Sequence, residues 1–295
     1  MIKTIRVMLI PNNKQKAKLF QYANTARFAY NWALGREQEN YKNGGKFICE
    51  GDLRKEYLWL KKISNNVPKQ AIKDACTAYQ NFFNGVSNAP RFKSKKHSIP
   101  KFYQDTKKIK FTDTHVKVEG FATSKRHNKQ KLNWIRLAEH CRIPTDCKHF
   151  NPRIKYDGLN WYLTVGIEYK DKESIPSNEG IGIDLGIKDL AICSDKNKYK
   201  NINKSYKVKR LEKKLKRQQR SLSRKYENLK KLKKGEATQK ANIRKQMLKV
   251  QRLYHRIDNI RTDYINKTIL EIVKTKPSYI TIEDLNVKGM MKNRH

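Results

Sequence analysis

A chain of 295 residues with 37% hydrophobic residues, ten Phe, fifteen Tyr and four Trp has the material for about two domains, which excludes a disordered polycation. Its 67 Lys and Arg against 27 Asp and Glu give a net charge of +40, and such a surface repels itself unless a polyanion neutralises it. Nucleic acid is therefore the expected partner; a membrane is not, because no apolar run is long enough to span a bilayer and no lipidation signal appears. The N-terminal Met1-Ile-Lys-Thr-Ile-Arg lacks the apolar core of a secretion signal, and five cysteines without paired spacing fit a reducing compartment, so a cytoplasmic protein is expected.

In chain order, Ile5, Val7 and Leu9 alternate with polar neighbours as a strand over 2–10, closed by Pro11. Phe20, Ala23, Ala26, Tyr30, Ala33 and Leu34 then recur at helical spacing over about 14–41, stopped by Gly44-Gly45. Pro68 suits the start of another helix, whose stripe is Ile72, Ala75, Cys76, Tyr79, Phe82 and Phe83. Residues 12–86 thus read as a helical unit.

From Asn88 the period changes to two. Ile109 and Phe111 are answered by Val116 and Val118 across a turn, and Asp157-Gly158 marks a tight hairpin into the strand Trp161, Leu163, Val165, Ile167. Residues 1–10 and 88–175 therefore read as one open β-barrel interrupted by the helical unit. Of its Phe102, Tyr103, Trp134, Trp161 and Tyr162, which could stack on bases, most are expected to fill the barrel core. The tongue Arg91, Phe92, Lys93, Ser94, Lys95, Lys96 is a candidate phosphate contact. His140, Cys141, Cys147 and His149 lack the short Cys-x-x-Cys knuckle, and no zinc site is assigned to them.

A Pro, Ser and Gly cluster at 175–180 separates a second domain, 180–295. Its first stretch, Ile181 to Leu190, alternates Ile181, Ile183 and Leu185 with Gly182, Asp184 and Gly186, so a buried strand displays one carboxylate on a face kept open by glycines. Short strands at 190–194 and 199–202 suggest a three-stranded meander. The segment 204–256 follows, with 21 Lys and Arg against three acids, a net +18 and close to half of the total. Val208, Leu215, Leu222 and Leu229, then Ile243, Val250, Ile257 and Tyr264, recur every seven residues, predicting an antiparallel helical hairpin over 204–274 turned at Lys234-Gly235. Outside that seam nearly everything is positive, and Lys213, Lys214, Arg217, Arg220, Arg224 and Lys225 are candidate phosphate contacts. A last strand around Ile280 and Ile282 ends in Glu283 and Asp284, and if it neighbours the Asp184 strand the two carboxylates converge on divalent cations.

The wording Gly-Ile-Asp-Leu-Gly-Ile-Lys-Asp-Leu-Ala at 182–191 and Ile-Glu-Asp-Leu-Asn-Val-Lys-Gly-Met at 282–290 closely resembles the first two RuvC motifs of TnpB-type (OrfB) proteins of bacterial insertion sequences, relatives of the type V CRISPR effectors. Arg27-Phe-Ala-Tyr-Asn-Trp-Ala33 and Pro90-Arg-Phe-Lys-Ser-Lys-Lys96 are similar to that family too. The resemblance implies an α+β multidomain fold: a wedge β-barrel (1–10 and 88–175) with a helical recognition insert (12–86), then a partial ribonuclease-H-like RuvC domain carrying the basic hairpin. It implies a transposon-encoded, RNA-guided, metal-dependent DNA endonuclease acting with guide RNA and target DNA near the prokaryotic nucleoid. Asp184 and Glu283 match its first two metal-binding carboxylates, for two Mg2+ ions. Its third carboxylate and the Cys-x-x-Cys knuckles of its zinc ribbon have no counterpart before His295. The expectation is thus a C-terminally truncated chain, with an inactive RNA- or DNA-binding remnant as the alternative; the oligomeric state stays open.

Overall fold

The computed structural model describes residues 2–44, 50–95, 98–122, 124–169, 179–231 and 236–285, apart from the side chains of residues 50–52 and 127. Lys96, Gly45, linker residues 175–178, the Lys234-Gly235 turn and residues 286–290 of the second acidic motif lie outside these. The fold is α+β and divides into two compact units, 1–171 and 172–295.

Unit 1 opens with β1 (Ile2–Ile10), whose Ile5, Val7 and Leu9 are buried as the alternation predicts. Asn12 then starts α1 (Asn13–Asn43) with a reciprocal cap: its Oδ1 accepts from the Gln15 amide at 2.8 Å, while Gln15 Oε1 accepts from the Asn12 amide at 2.9 Å. Gln15 Nε2 also donates to the carbonyls of Leu132 and Trp134, pinning the helix start to the sheet. At the other end Gly44 takes φ 66°, the left-handed turn that releases the chain. After α2 (Glu50–Glu56) and a 3-10 turn at Leu58–Lys62, α3 (Asn66–Phe83) packs on α1. Ile72, Ala75 and Tyr79 are buried. Phe82 and Phe83, expected on the same stripe, are instead 39% and 49% exposed at the helix end, where Phe83 meets Tyr41.

The strands β2 (Lys101–Tyr103), β3 (Lys110–Phe111), β4 (His115–Lys117), β5 (Trp134–Leu137), β6 (His149–Tyr156) and β7 (Trp161–Glu168), with a short α4 (Lys125–Lys129), complete the unit. Among the described residues they form with β1 a seven-stranded sheet in the order β2-β6-β7-β1-β5-β4-β3, every pairing antiparallel. The β6–β7 hairpin turns where the Asp157 carboxylate accepts from the Leu159 and Asn160 amides and Gly158 takes φ 98°. Phe102 and Trp161 lie in the core with Tyr22 and Phe121, whereas Tyr103, Trp134 and Tyr162 are half-buried.

In unit 2, β8 (Ile181–Asp184), β9 (Asp189–Cys193) and β10 (Lys198–Lys200) form the antiparallel meander, followed by α5 (Tyr206–Lys231), α6 (Glu236–Lys274) and β11 (Ile280–Ile282). The described strands form a four-stranded sheet, β10-β9-β8-β11, in which β11 runs parallel to β8. Its apolar face is small: Ile181 and Cys193 pack under Ile272 of α6. The buried strand expected over 181–186 is corrected in part here: Ile181 is buried, but Leu185, just beyond β8, is 40% exposed. On β11, the edge of the described sheet, Ile280 is 42% and Ile282 53% exposed. The α5/α6 hairpin has its own core of Val208, Leu211, Leu215, Val250, Leu253 and Ile257. Further out the predicted seam loosens, with Leu222 only packing against that core and Tyr264 half-buried, its hydroxyl donating to the Lys200 carbonyl.

Candidate metal centre and nucleic-acid interface

The register between β8 and β11 decides where the two carboxylates fall. Ile181 faces Ile280, Gly182 faces Thr281 and Ile183 faces Ile282, so the next step of the same register sets Asp184 beside Glu283. Neighbouring strands lie about 4.8 Å apart and residues paired in a parallel ladder share a face, so both carboxylates project from one side at adjacent strand ends. That side is opposite the one on which Ile181 meets Ile272.

The surroundings keep this face clear. Gly182 is held by Ser194, whose Oγ accepts from its amide at 3.1 Å while the Ser194 amide donates to its carbonyl at 2.9 Å. A Cβ added at Gly182 would meet nothing nearer than Ser194 Cβ at 3.9 Å, so the space above it is open. Gly180 is different: the Tyr279 ring occupies the place of its missing side chain, which lets β11 close onto β8. Asp184 and Glu283 are both exposed, and neither carries a hydrogen bond or ion pair among the described residues. Nor does any group of three or more His, Cys, Asp or Glu converge among those residues. Cys147 and His149, weighed as zinc ligands from sequence, both turn to the Pro144 carbonyl, His149 Nε2 at 2.8 Å.

On α5, Lys213, Lys214, Arg217, Arg220 and Arg224 are exposed, Lys225 is half-buried, and none of the six has an ion pair among the described residues. The acid Glu212 is already committed to Arg261, at 2.9 Å. These six α5 cations thus form a row that no acid pairs among the described residues.

The tongue is less uniform than its sequence suggests. Arg91 and Lys95 are exposed, but Lys93 is half-buried and turned inward, its Nζ 2.9 Å from the centroid of the Tyr30 ring. Its backbone pairs reciprocally with Asn31: the Lys93 amide donates to Oδ1 at 2.8 Å and Nδ2 donates to the Lys93 carbonyl at 2.9 Å. The segments 27–33 and 90–96, singled out separately, therefore meet through Lys93 and the pair Tyr30 and Asn31. Burial pushes the Lys93 ammonium down to about 8, helped by Lys101 and Arg153 and opposed by Asp74. Sequence reasoning missed the partner here, because Asp74 and Arg153 pair at 2.7 Å across 79 residues with no local pattern.

Two family models match the chain, one described as "Probable transposase" over residues 164–294 and one as "Helix-turn-helix domain" over residues 1–46. Both are models of the OrfB proteins of IS605-type insertion sequences. The chain belongs to the OrfB family. In this OrfB protein the described residues matched by the second model form one strand and one continuous helix, β1 and α1. Among curated relatives it is 29% identical to the Escherichia coli (strain K12) protein described as "Putative RNA-guided DNA endonuclease InsQ", with 99% of this chain and 68% of that one covered. It is 26% identical to a Streptomyces pristinaespiralis protein described as "Putative RNA-guided DNA endonuclease", with 99% and 69% covered. A Cas12f1 chain solved by cryo-EM in complex with sgRNA and target DNA shares the OrfB chain's fold at a TM-score of 0.54 and 13% identity, over 97% of this chain and 81% of that one.

Proposed function

We propose that this OrfB protein is an RNA-guided, magnesium-dependent DNA endonuclease whose RuvC-like site is built on Asp184 and Glu283. The observation that supports the reading is the parallel β8–β11 register with Ile183 opposite Ile282, whose next step sets Asp184 beside Glu283. The descriptions of its relatives from E. coli and S. pristinaespiralis support the same activity. In this reading residues 1–10 and 88–175 are the wedge barrel, 12–86 the recognition insert, and 180–295 the RuvC-like domain with its basic hairpin. The protein works in the prokaryotic cytoplasm at the nucleoid, on guide RNA and target DNA.

Two exposed carboxylates on an open face fit a hard divalent cation as two of its oxygen donors. When bound, such ions supply water activation and charge neutralisation for phosphodiester hydrolysis. The chain's own residues do the rest: β8 and β11 hold both carboxylates on one side, Gly182 keeps space for a phosphate backbone, and the α5 cations with Arg91 and Lys95 bind guide and hybrid through their phosphates.

The test is cleavage of a plasmid library by the protein purified with its co-expressed RNA. Asp184→Ala should abolish Mg2+-dependent cleavage while leaving RNA affinity intact. A second reading, an RNA- or DNA-binding protein that does not cut, is favoured by one observation: no group of three or more possible metal ligands converges among the described residues. Cleavage absent from the wild type, with RNA retained, selects it.

A further inference from the structure

The sheet of unit 1 has a second face of interest, on β3, β4, β5 and the end of β1. Core positions there alternate strictly: Val116, Ile135, Leu137 and Leu9 are buried. The residues between them therefore point to the other side. Register lines them up in two rows, Lys110–Lys117–Trp134 and His115–Arg136–Ile10. Lys110 directly opposite Lys117, with Arg136 opposite His115, is an arrangement that costs stability unless an anion is shared between them.

A cavity of about 600 Å³ opens on this face, lined among others by Trp134, Arg136, His115, Asn12, Gln130 and Lys131, and no carboxylate of the described residues lines it. Lys131 holds φ 48°, a left-handed conformation that residues other than glycine rarely adopt. His115 spends Nδ1 on Thr114 at 2.7 Å, which leaves Nε2 for the cavity. Trp134 is half-buried on this face, with the Lys117 ammonium 6.0 Å from its ring centroid, while the core is filled by its neighbours Ile135 and Leu137. An aromatic ring among cations, amides and an imidazole is the chemistry that holds an unpaired nucleotide: stacking for the base, charge for the phosphates.

We propose that this cavity binds one unpaired nucleotide of a single-stranded nucleic acid, its base against the Trp134 ring and its flanking phosphates on Arg136, Lys131 and Lys117. The inference rests on the nucleic-acid function proposed above and adds a site outside the metal centre, the hairpin and the tongue.

The experiment uses the full chain with two fluorescent 12-mers, oligo-U RNA and oligo-dT DNA, each also prepared with 5-bromo bases for photocrosslinking. Trp134→Leu keeps an apolar filler and removes the stacking face; Trp134→Phe keeps a ring. Expected is a weakening of about tenfold for Trp134→Leu, in the range of stacking on one base, with the salt dependence unchanged and Trp134→Phe within about threefold of wild type. Arg136→Gln should make the log–log salt slope shallower by about one. Crosslinked peptides should map to residues 110–136, and the tighter of the two oligomers names the source of the nucleotide. Folding of each variant is checked by circular dichroism. Unchanged binding by a folded Trp134→Leu protein, equal losses in both Trp134 variants, or crosslinks confined to other peptides would overturn the proposal. If Arg217→Glu weakens binding while the Trp134 variants do not, the broader function stands and this site falls. If neither oligomer binds the wild type, both fall.

Discussion

The Lys93 ammonium rests against the Tyr30 ring, 2.9 Å from its centroid, and the Lys93 backbone is locked to Asn31 on the same helix. A residue that looks in sequence like one of four interchangeable tongue cations is thus the tongue's anchor. Its ammonium is pushed down by burial to about 8, from the ordinary lysine value of 10.5. The folded state therefore carries this charge at a cost that is fully present below pH 8 and is relieved as pH rises from 8 to 10.5. The Tyr30 face offsets part of that cost. Lys93→Met should melt higher relative to wild type at pH 7, with the advantage shrinking by pH 10. A pH-independent offset in paired thermal melts would show that Lys93 is not held this way.

Gly120 is a position where glycine is required twice over. Its φ is 80°, and an added Cβ would collide with the Tyr22 hydroxyl. Gly120→Ala should cost about 1–3 kcal/mol in urea unfolding, from the backbone conformation alone. The Tyr22 hydroxyl is buried beside the Ser64 backbone, whose hydrogen bond works against the burial that raises it to about 12, so Tyr22→Phe should cost little and should lessen the penalty of Gly120→Ala in the double variant. Strict additivity of the two would contradict this contact.

Charge on α5 is predicted to act on nucleic acid and not on the fold. Arg217, Arg220 and Arg224 are exposed, and none has an ion pair among the described residues. Reversing all three to Glu should leave the melting temperature nearly unchanged and should make the salt dependence of RNA binding shallower by about 0.7–0.9 per lost phosphate contact. An unchanged slope would place the phosphates elsewhere.

What the sequence made legible was mostly local. The alternation of Ile5, Val7 and Leu9 and the turn at Asp157-Gly158 each follow from a few adjacent residues and recur in the fold. Relations that cross between segments were beyond periodicity. Nothing local marks Asn31 as the partner of Lys93, or Lys110 as the neighbour of Lys117, because both depend on which segments pair and in what register. Exposure on the second sheet was beyond periodicity too: Ile280 and Ile282 are 42% and 53% exposed on β11, the edge strand of the described sheet. The acidic pair lies between these cases. Each motif was visible by itself, and the shared face of Asp184 and Glu283 comes from a parallel pairing across about one hundred residues.

That pairing is tested most directly by Mn2+ binding, followed by electron paramagnetic resonance on the wild-type chain and on Asp184→Asn and Glu283→Gln, with Mg2+ as competitor. A shared site predicts a Mn2+ signal that Mg2+ displaces and that each single substitution removes to a similar extent, with the double variant no worse than either. Binding that survives both substitutions would contradict a metal centre on β8 and β11.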